Sequence, residues 1–406
     1  MAGARAGPST GYAVELDHFE FAIICALPRE FDAVEASLDE IYDDQTPVKN
    51  ENDLNFYKTG RIGPFNIVLA CLPEMGKESA ASAAASLQIS FPSISLTLVV
   101  GICGGVPFPV PGTELILGDV VISHQVVKFD FGRQYLDRFE QRGGVQDTLD
   151  RSNRSIRSLI SGLQINSSRA EFQEMHARYL QGMGEEDSIW QYPGVAKDRL
   201  FPSSFDLKDA SEATDSIEDF VQRDRLTGGD DPMPRLHFGP IGSTDTVMKS
   251  AKHRDDLAQG SRLVGFEMEG SGVCNNLSCV IIKGVCDYAD SHKTKVWQDY
   301  AAASAACATK SFLEILATKK CSKASSVTSQ SVGEWHIPPI SSQTANVDQH
   351  IQSVDEGLSR IADGIPNPLL RRTLITAASQ AIHGSRSEMR KIPKQKVFHS
   401  EPYTSH

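Results

Sequence analysis

The sequence predicts an α/β fold on three observations. Apolar runs of strand length alternate with segments of helical periodicity. One run, Leu96 to Val100, passes straight into the glycine turn Gly101-Ile-Cys-Gly-Gly-Val106. Another, carrying Val280, Ile281, Ile282 and Val285, ends on Asp287. Ligands of open α/β sheets sit at the carboxyl ends of strands, so an acid there is a candidate site residue.

Taken in order, Phe19 to Leu27 is apolar enough for a central strand, and Pro28 breaks it. From Glu30 to Leu38, Phe31, Val34 and Leu38 recur at helical spacing. Phe56 to Gly60 and Phe65 to Leu72 read as a strand pair around an Arg-Ile-Gly-Pro turn. Lys77 to Leu87, rich in Ala and Ser, reads as a closely packed helix. Gly118 to Ser123 opens a further strand, and the apolar run around Val126 places Lys128 on another. From about 133 to 235 the chain is polar and short of alternating runs, with helical pieces at 151–164 and 168–181. It reads as an insertion or lid on the edge of the core. The strand pattern returns at His237 to Ser243, and Ala301 to Ala317 reads as a closing helix.

Beyond this domain, 18–318, the character changes. Residues 1–17 read as a disordered N-terminus, and 319–346, rich in Ser and Thr, as a linker. Val347, Ile351, Val354, Leu358 and Ile361 then form a two-heptad apolar seam, stopped by Pro366 and Pro368. A second apolar stretch at 369–382 and a basic tail complete a helical, poorly ordered C-terminal extension. Residues 347–382 are the expected surface for a protein partner or self-association, with plain disorder as the alternative.

Across 406 residues, 40% hydrophobic content supports a real core, and the net charge of −12 argues against nucleic-acid binding. No run is long enough to span a membrane, and no signal-peptide core opens the chain. The eight cysteines contain no zinc-like spacing, and most lie in apolar runs. They read as reduced thiols of a cytoplasmic protein, with no metal or organic cofactor implied.

Four motifs occur together in one order: Gly101-Ile-Cys-Gly-Gly105, Gly118-Asp-Val-Val-Ile-Ser123, Glu267-Met-Glu-Gly270 and Cys286-Asp287-x-Ala-Asp290, with Glu30 just after the first strand. This constellation resembles the nucleoside phosphorylase and 5′-methylthioadenosine nucleosidase superfamily, most of all its fungal branch at the front of immune-receptor-like chains. The resemblance implies a central mixed β-sheet flanked by helices, homo-oligomers, and cleavage of the N-glycosidic bond of a purine nucleoside or nucleotide. That reaction needs an acid for the leaving base and a nucleophile at the anomeric carbon.

By the resemblance, Asp287 serves the purine ring nitrogen; the alternative is a helix N-cap. Glu269 would hold the ribose hydroxyls, or else be a first-turn acid favoured by the helix dipole. Met268 would pack on the sugar or fill core, and Glu267 would join the same wall. Cys103 and Gly104, in the glycine turn, would let the backbone approach the ligand. Trp297 stands where nucleosidases carry an aromatic near the 5′ side, though Trp on a helix face is also core. Cys286 and Val247 replace a serine and a base-stacking aromatic, which turns the expectation away from methylthioadenosine. Lys77, Lys128 and Arg133 are candidates for a 5′-phosphate, with surface placement as the alternative.

The nucleophile is read from the first loop. Phosphorylases hold phosphate with cations, but Val99 occupies the position of an expected arginine and Arg29 is the first loop's one cation. Glu30 matches the acid that orients water in nucleosidases, so hydrolysis is expected. A phosphate-dependent phosphorylase and a non-catalytic nucleoside-sensing module that recruits partners are the alternatives.

Overall fold

In a computed structural model, the structure describes residues 16–42, 49–130, 132–137, 139–141, 148–149, 154–204, 220–228 and 231–328. Residues 1–15 and 329–406, with the whole extension read at 347–406, lie outside them, while the last two residues of the stretch read as a disordered N-terminus open a 3-10 helix, Leu16–His18. From the N-terminus the elements are β1 (Phe19–Cys25), α1 (Pro28–Ser37), β2 (Glu40–Ile41), β3 (Phe56–Ile62), β4 (Phe65–Cys71), α2 (Lys77–Ser90) and β5 (Leu96–Gly105). Then come β6 (Val120–Ser123), β7 (Val126–Lys128), β8 (Gly132–Gln134), β9 (Phe139–Gln141), β10 (Thr148–Leu149), α3 (Arg154–Leu163) and α4 (Asn166–Glu186). The last part holds β11 (Leu236–Phe238), β12 (Ile241–Ser243), α5 (Ala251–Ser261), β13 (Gly265–Glu267), α6 (Gly270–Asn276), β14 (Cys279–Asp287) and α7 (Gln298–Thr328).

One twelve-stranded mixed sheet runs β10-β7-β12-β13-β5-β1-β4-β3-β2, with β14, β6 and β11 branching from β5. β5 is its trunk because its run is apolar without alternation, as a strand covered on both faces requires. It pairs in parallel with β1 and β14, with Ile24 opposite Val99 and Asp287 opposite Gly104. Three carboxyl ends therefore meet at one edge of the sheet: the turn from Cys25 to Glu30, the glycines 101–105, and Cys286-Asp287.

Flanking helices cover the sheet. The buried alanines 301–303, 305, 306 and 308 let α7 lie close against it, and α1 and α4 pack on α7. The stretch 133–235, read as an edge insertion, supplies Ile160, Leu163, Phe172 and Leu180 to the main core. The apolar faces of α3 and α4 are spaced at helical period; α4 packs on α7 and α3 on α4, which a search for alternating runs does not see. α7 itself continues to Thr328, into the stretch read as linker, where no Gly or Pro stops it.

The reading of every cysteine as reduced needs one correction. Cys274 and Cys279 form a disulfide across the turn from α6 to β14, with Cα atoms 5.7 Å apart. The helix-turn-strand path brings two cysteines five residues apart within bridging reach.

Candidate active site

Pro28 fixes the first turn of α1, and Glu30 at its third position folds back on the turn it starts. Its Oε2 accepts from the backbone N–H of Ala26 (2.8 Å) and Leu27 (2.9 Å), and its Oε1 from Ile102 N–H (2.8 Å). The last bond ties the first loop to the glycine turn. A Cβ on Gly101 would fall on this carboxylate, so the close approach requires glycine there. At 2% exposure Glu30 is no solvated first-turn acid. Burial raises its pKa, Lys283 opposes the rise, and Glu269 adds to it.

The two glutamates before α6 make different contacts. Glu267 caps the helix: its Oε2 accepts from Glu269 N–H (2.9 Å) and Gly270 N–H (2.7 Å). Glu269, at the N-cap position, makes no side-chain cap. Its Oε2 instead accepts from Lys283 Nζ at 3.0 Å. Lys283 projects from the middle of β14, fully buried. Burial works to lower its pKa, but Glu269, Glu30 and Glu267 outweigh that and raise it, so it stays charged. Burial, then the charge of Glu269, raises the carboxyl of Glu267. Lys283 is thus the shared counter-cation of three buried glutamates.

Asp287 ends β14 in a tight turn. Its Oδ1 accepts from Ala289 N–H (2.8 Å) and pairs with Lys293 Nζ (2.9 Å). It caps no helix, since α7 starts only at Gln298. Gly104 lies opposite, where a Cβ would come within 2.9 Å of both Asp287 Oδ1 and Ala289 Cβ. Burial pushes the Cys103 and Cys286 thiols up, so both stay protonated and inert.

These groups line one cavity of about 240 Å³. Glu30, Cys103, Gly104, Val247, Glu267, Met268, Glu269, Cys286 and Asp287 all border it. Trp297 does not. It is 0% exposed, stacks edge-on with Tyr192 and Tyr300, and donates from its indole N–H to Lys197 O (3.0 Å). The core reading of this residue is the correct one: the turn before α7 points the indole at the aromatic cluster, and the next residue, Gln298, lines the cavity instead. Sequence reasoning also missed Lys283 and Lys293. A lone lysine inside the apolar run Val280 to Val285 is a signal, because a buried lysine needs partners; Lys293, in a polar turn, gave none.

The sequence model of the family described as "Phosphorylase superfamily" matches residues 20–317. The chain belongs to the phosphorylase superfamily. A nucleotide-binding leucine-rich repeat (NLR)-like protein of Hyaloscypha variabilis is 33% identical over 309 residues, covering 74% of this chain and 30% of that protein. The chain therefore spans less than a third of that relative. Among solved structures, similar chains include futalosine hydrolase of Helicobacter pylori, at 14% identity and TM-score 0.46, covering 73% of this chain and 98% of that one. Another is the 5′-methylthioadenosine/S-adenosylhomocysteine nucleosidase of Neisseria meningitidis with methylthio-immucillin-A, at 16% identity and TM-score 0.46, covering 73% and 98%.

Arg29 Nη1 pairs with Asp299 Oδ1 at 2.7 Å and does not border the cavity. Val99 is buried within β5. Lys77 pairs with Asp130 and, at 3.4 Å, with Asp245. Lys128 Nζ lies 3.5 Å from Asn275 Oδ1, and Arg133 is exposed on β8. None of these borders the cavity; among the described residues the lysine or arginine that does is Lys293.

Proposed function

We propose that this chain hydrolyses the N-glycosidic bond of a purine nucleoside or nucleotide, releasing the free base and ribose or ribose phosphate. The observation that carries the reading is the Glu30 carboxylate, buried, backbone-bonded on both oxygens, and bordering the same cavity as Asp287 and Glu269. Three of its acceptor sites are occupied, which leaves one for a water molecule. Its raised pKa brings it nearer the working pH of a general base. Water gives a proton to Glu30 as its oxygen bonds to the anomeric carbon. The bond from that carbon to the base breaks, its electron pair goes to the purine, and Asp287, with Oδ1 on Lys293 and the Ala289 amide, relays a solvent proton to the purine through Oδ2. Glu30 then returns its proton to solvent. Glu269, with Oε2 on Lys283, keeps Oε1 for the ribose hydroxyls.

A phosphorylase would need a cation cage. The pairing of Arg29 with Asp299 and of Lys293 with Asp287 supports water over phosphate as nucleophile. The test is chromatographic release of free purine base from nucleosides and nucleotides, with and without inorganic phosphate. Release is expected to be independent of phosphate and to yield free sugar. Release only with phosphate would overturn hydrolysis in favour of phosphorolysis. Asp287→Asn is expected to lose kcat by about 10²-fold or more. No base under any condition from the unaltered chain would leave a binding module.

A further inference from the structure

The turn after Asp287 is strained. Ala289 sits at φ 54°, in the left-handed region that a Cβ disfavours. Such backbone persists where its surroundings over-determine it. Here the surroundings act through Tyr288, which is buried. Its hydroxyl donates to Asp198 Oδ1 (2.6 Å) and accepts from Arg223 Nη1 (3.0 Å), while its carbonyl accepts from Arg254 Nη1 (2.7 Å). The grip is itself anchored. Asp198 Oδ2 accepts from Leu117 N–H (3.0 Å), Arg223 Nε pairs with Glu114 Oε1 (2.6 Å), and Arg223 Nη2 donates to Leu115 O. Both Asp198 and Arg223 come from the polar stretch 133–235, which therefore reaches the residue next to Asp287.

We propose that Tyr288, gripped by Asp198 and Arg223, is a positioning residue that sets the orientation of the Asp287 carboxylate; this rests on the hydrolase reading above. With side chain and carbonyl of residue 288 fixed, the turn holds Asp287 Oδ1 on the Ala289 amide, and the carboxylate meets the leaving base at one angle. Asp198 and Arg223, which hold the hydroxyl, lie outside the four sequence motifs, so the stretch 133–235 contributes to the site.

Tyr288→Phe keeps the ring and deletes the hydroxyl. In the full chain its kcat is expected to fall at least about tenfold with KM within about twofold, the signature of misplaced reacting groups. Phe19→Leu, at the far end of β1, serves as the stability control: at a matched loss of thermal midpoint it keeps wild-type kcat. Asp198→Asn, which loses one of two acceptor oxygens, is expected to reproduce the kcat loss. Combined with Tyr288→Phe it should add less than the product of the two, because both act through one contact. Folded Tyr288→Phe with wild-type kcat, or losses that multiply fully, overturns the inference. Should Tyr288→Phe not fold, Asp198→Asn is read by the same kcat criterion. A wild-type chain that releases no base sinks the hydrolase reading; active wild type beside an unimpaired Tyr288→Phe sinks this inference alone.

Discussion

Glu267 and Glu30 both hold carboxyl groups whose pKa is raised, first by burial, with the charge of Glu269 adding and Lys283 opposing. The folded chain then binds protons that the unfolded chain has released. Their contribution to stability is full below the ordinary glutamate value of about 4.3 and is lost as pH rises through the folded value. Glu267→Gln removes that titration while keeping an acceptor for the Glu269 and Gly270 amides. In thermal scans, its midpoint is expected to gain on wild type as pH rises above about 4.3. A gap that narrows with rising pH would contradict the buried-carboxyl account.

At the scale of elements, the excursion between β10 and β11 is fastened at Asp119, just before β6. The carboxylate is fully buried, and it meets Arg225 Nη1 (2.5 Å) and Nη2 (3.0 Å), His237 Nε2 (2.8 Å), and the amides of Arg235 (2.7 Å) and Ile116 (3.0 Å). Burial acts to raise its pKa, but His237 and Arg225 outweigh that and hold it low. One acid thus joins the end of the excursion to two strands of the sheet. Arg225→Met strips a bidentate arginine partner from a buried carboxylate, and urea unfolding is expected to show a loss of about 3–5 kcal/mol. A loss below about 1 kcal/mol, the value of an exposed pair, would mean that the excursion is not fastened there.

For the whole molecule, the seam of α4 on α7 carries a pH dependence of its own. His176 lies at 0% exposure with Nε2 3.1 Å from both Ser304 O and Ser304 Oγ, and burial lowers its pKa to about 4. An unfolded histidine titrates near 6.5, so between these values the unfolded chain binds the extra proton. Stability therefore falls as pH drops from about 6.5 towards 4, by about 3 kcal/mol over the full window. Urea midpoints of His176→Gln, which can still donate to Ser304, are expected to be flatter than wild type across that range. Equal slopes for the two proteins would place the acid sensitivity elsewhere.

The sequence by itself determined the long apolar strands and the residues that sit within a few positions of their ends, but not the short strands β2, β8, β9, β10 and β13, nor the break between β11 and β12. Glu30 after β1, Gly104 at the end of β5, Glu269 before α6 and Asp287 closing β14 were legible because an apolar run followed by a glycine or an acid is a local pattern. The tertiary structure decided the rest. It placed Lys283 among three glutamates from two other segments, Arg29 on Asp299, Lys293 on Asp287, and the Trp297 indole in the core rather than the cavity. It gave the cap to Glu267 and the lysine to Glu269, and it brought the polar excursion to Tyr288. The physical reason is reach. Periodicity and turn chemistry act over a few residues, whereas the partner of a buried charge is fixed by the register of strands and the packing of helices far apart in the chain.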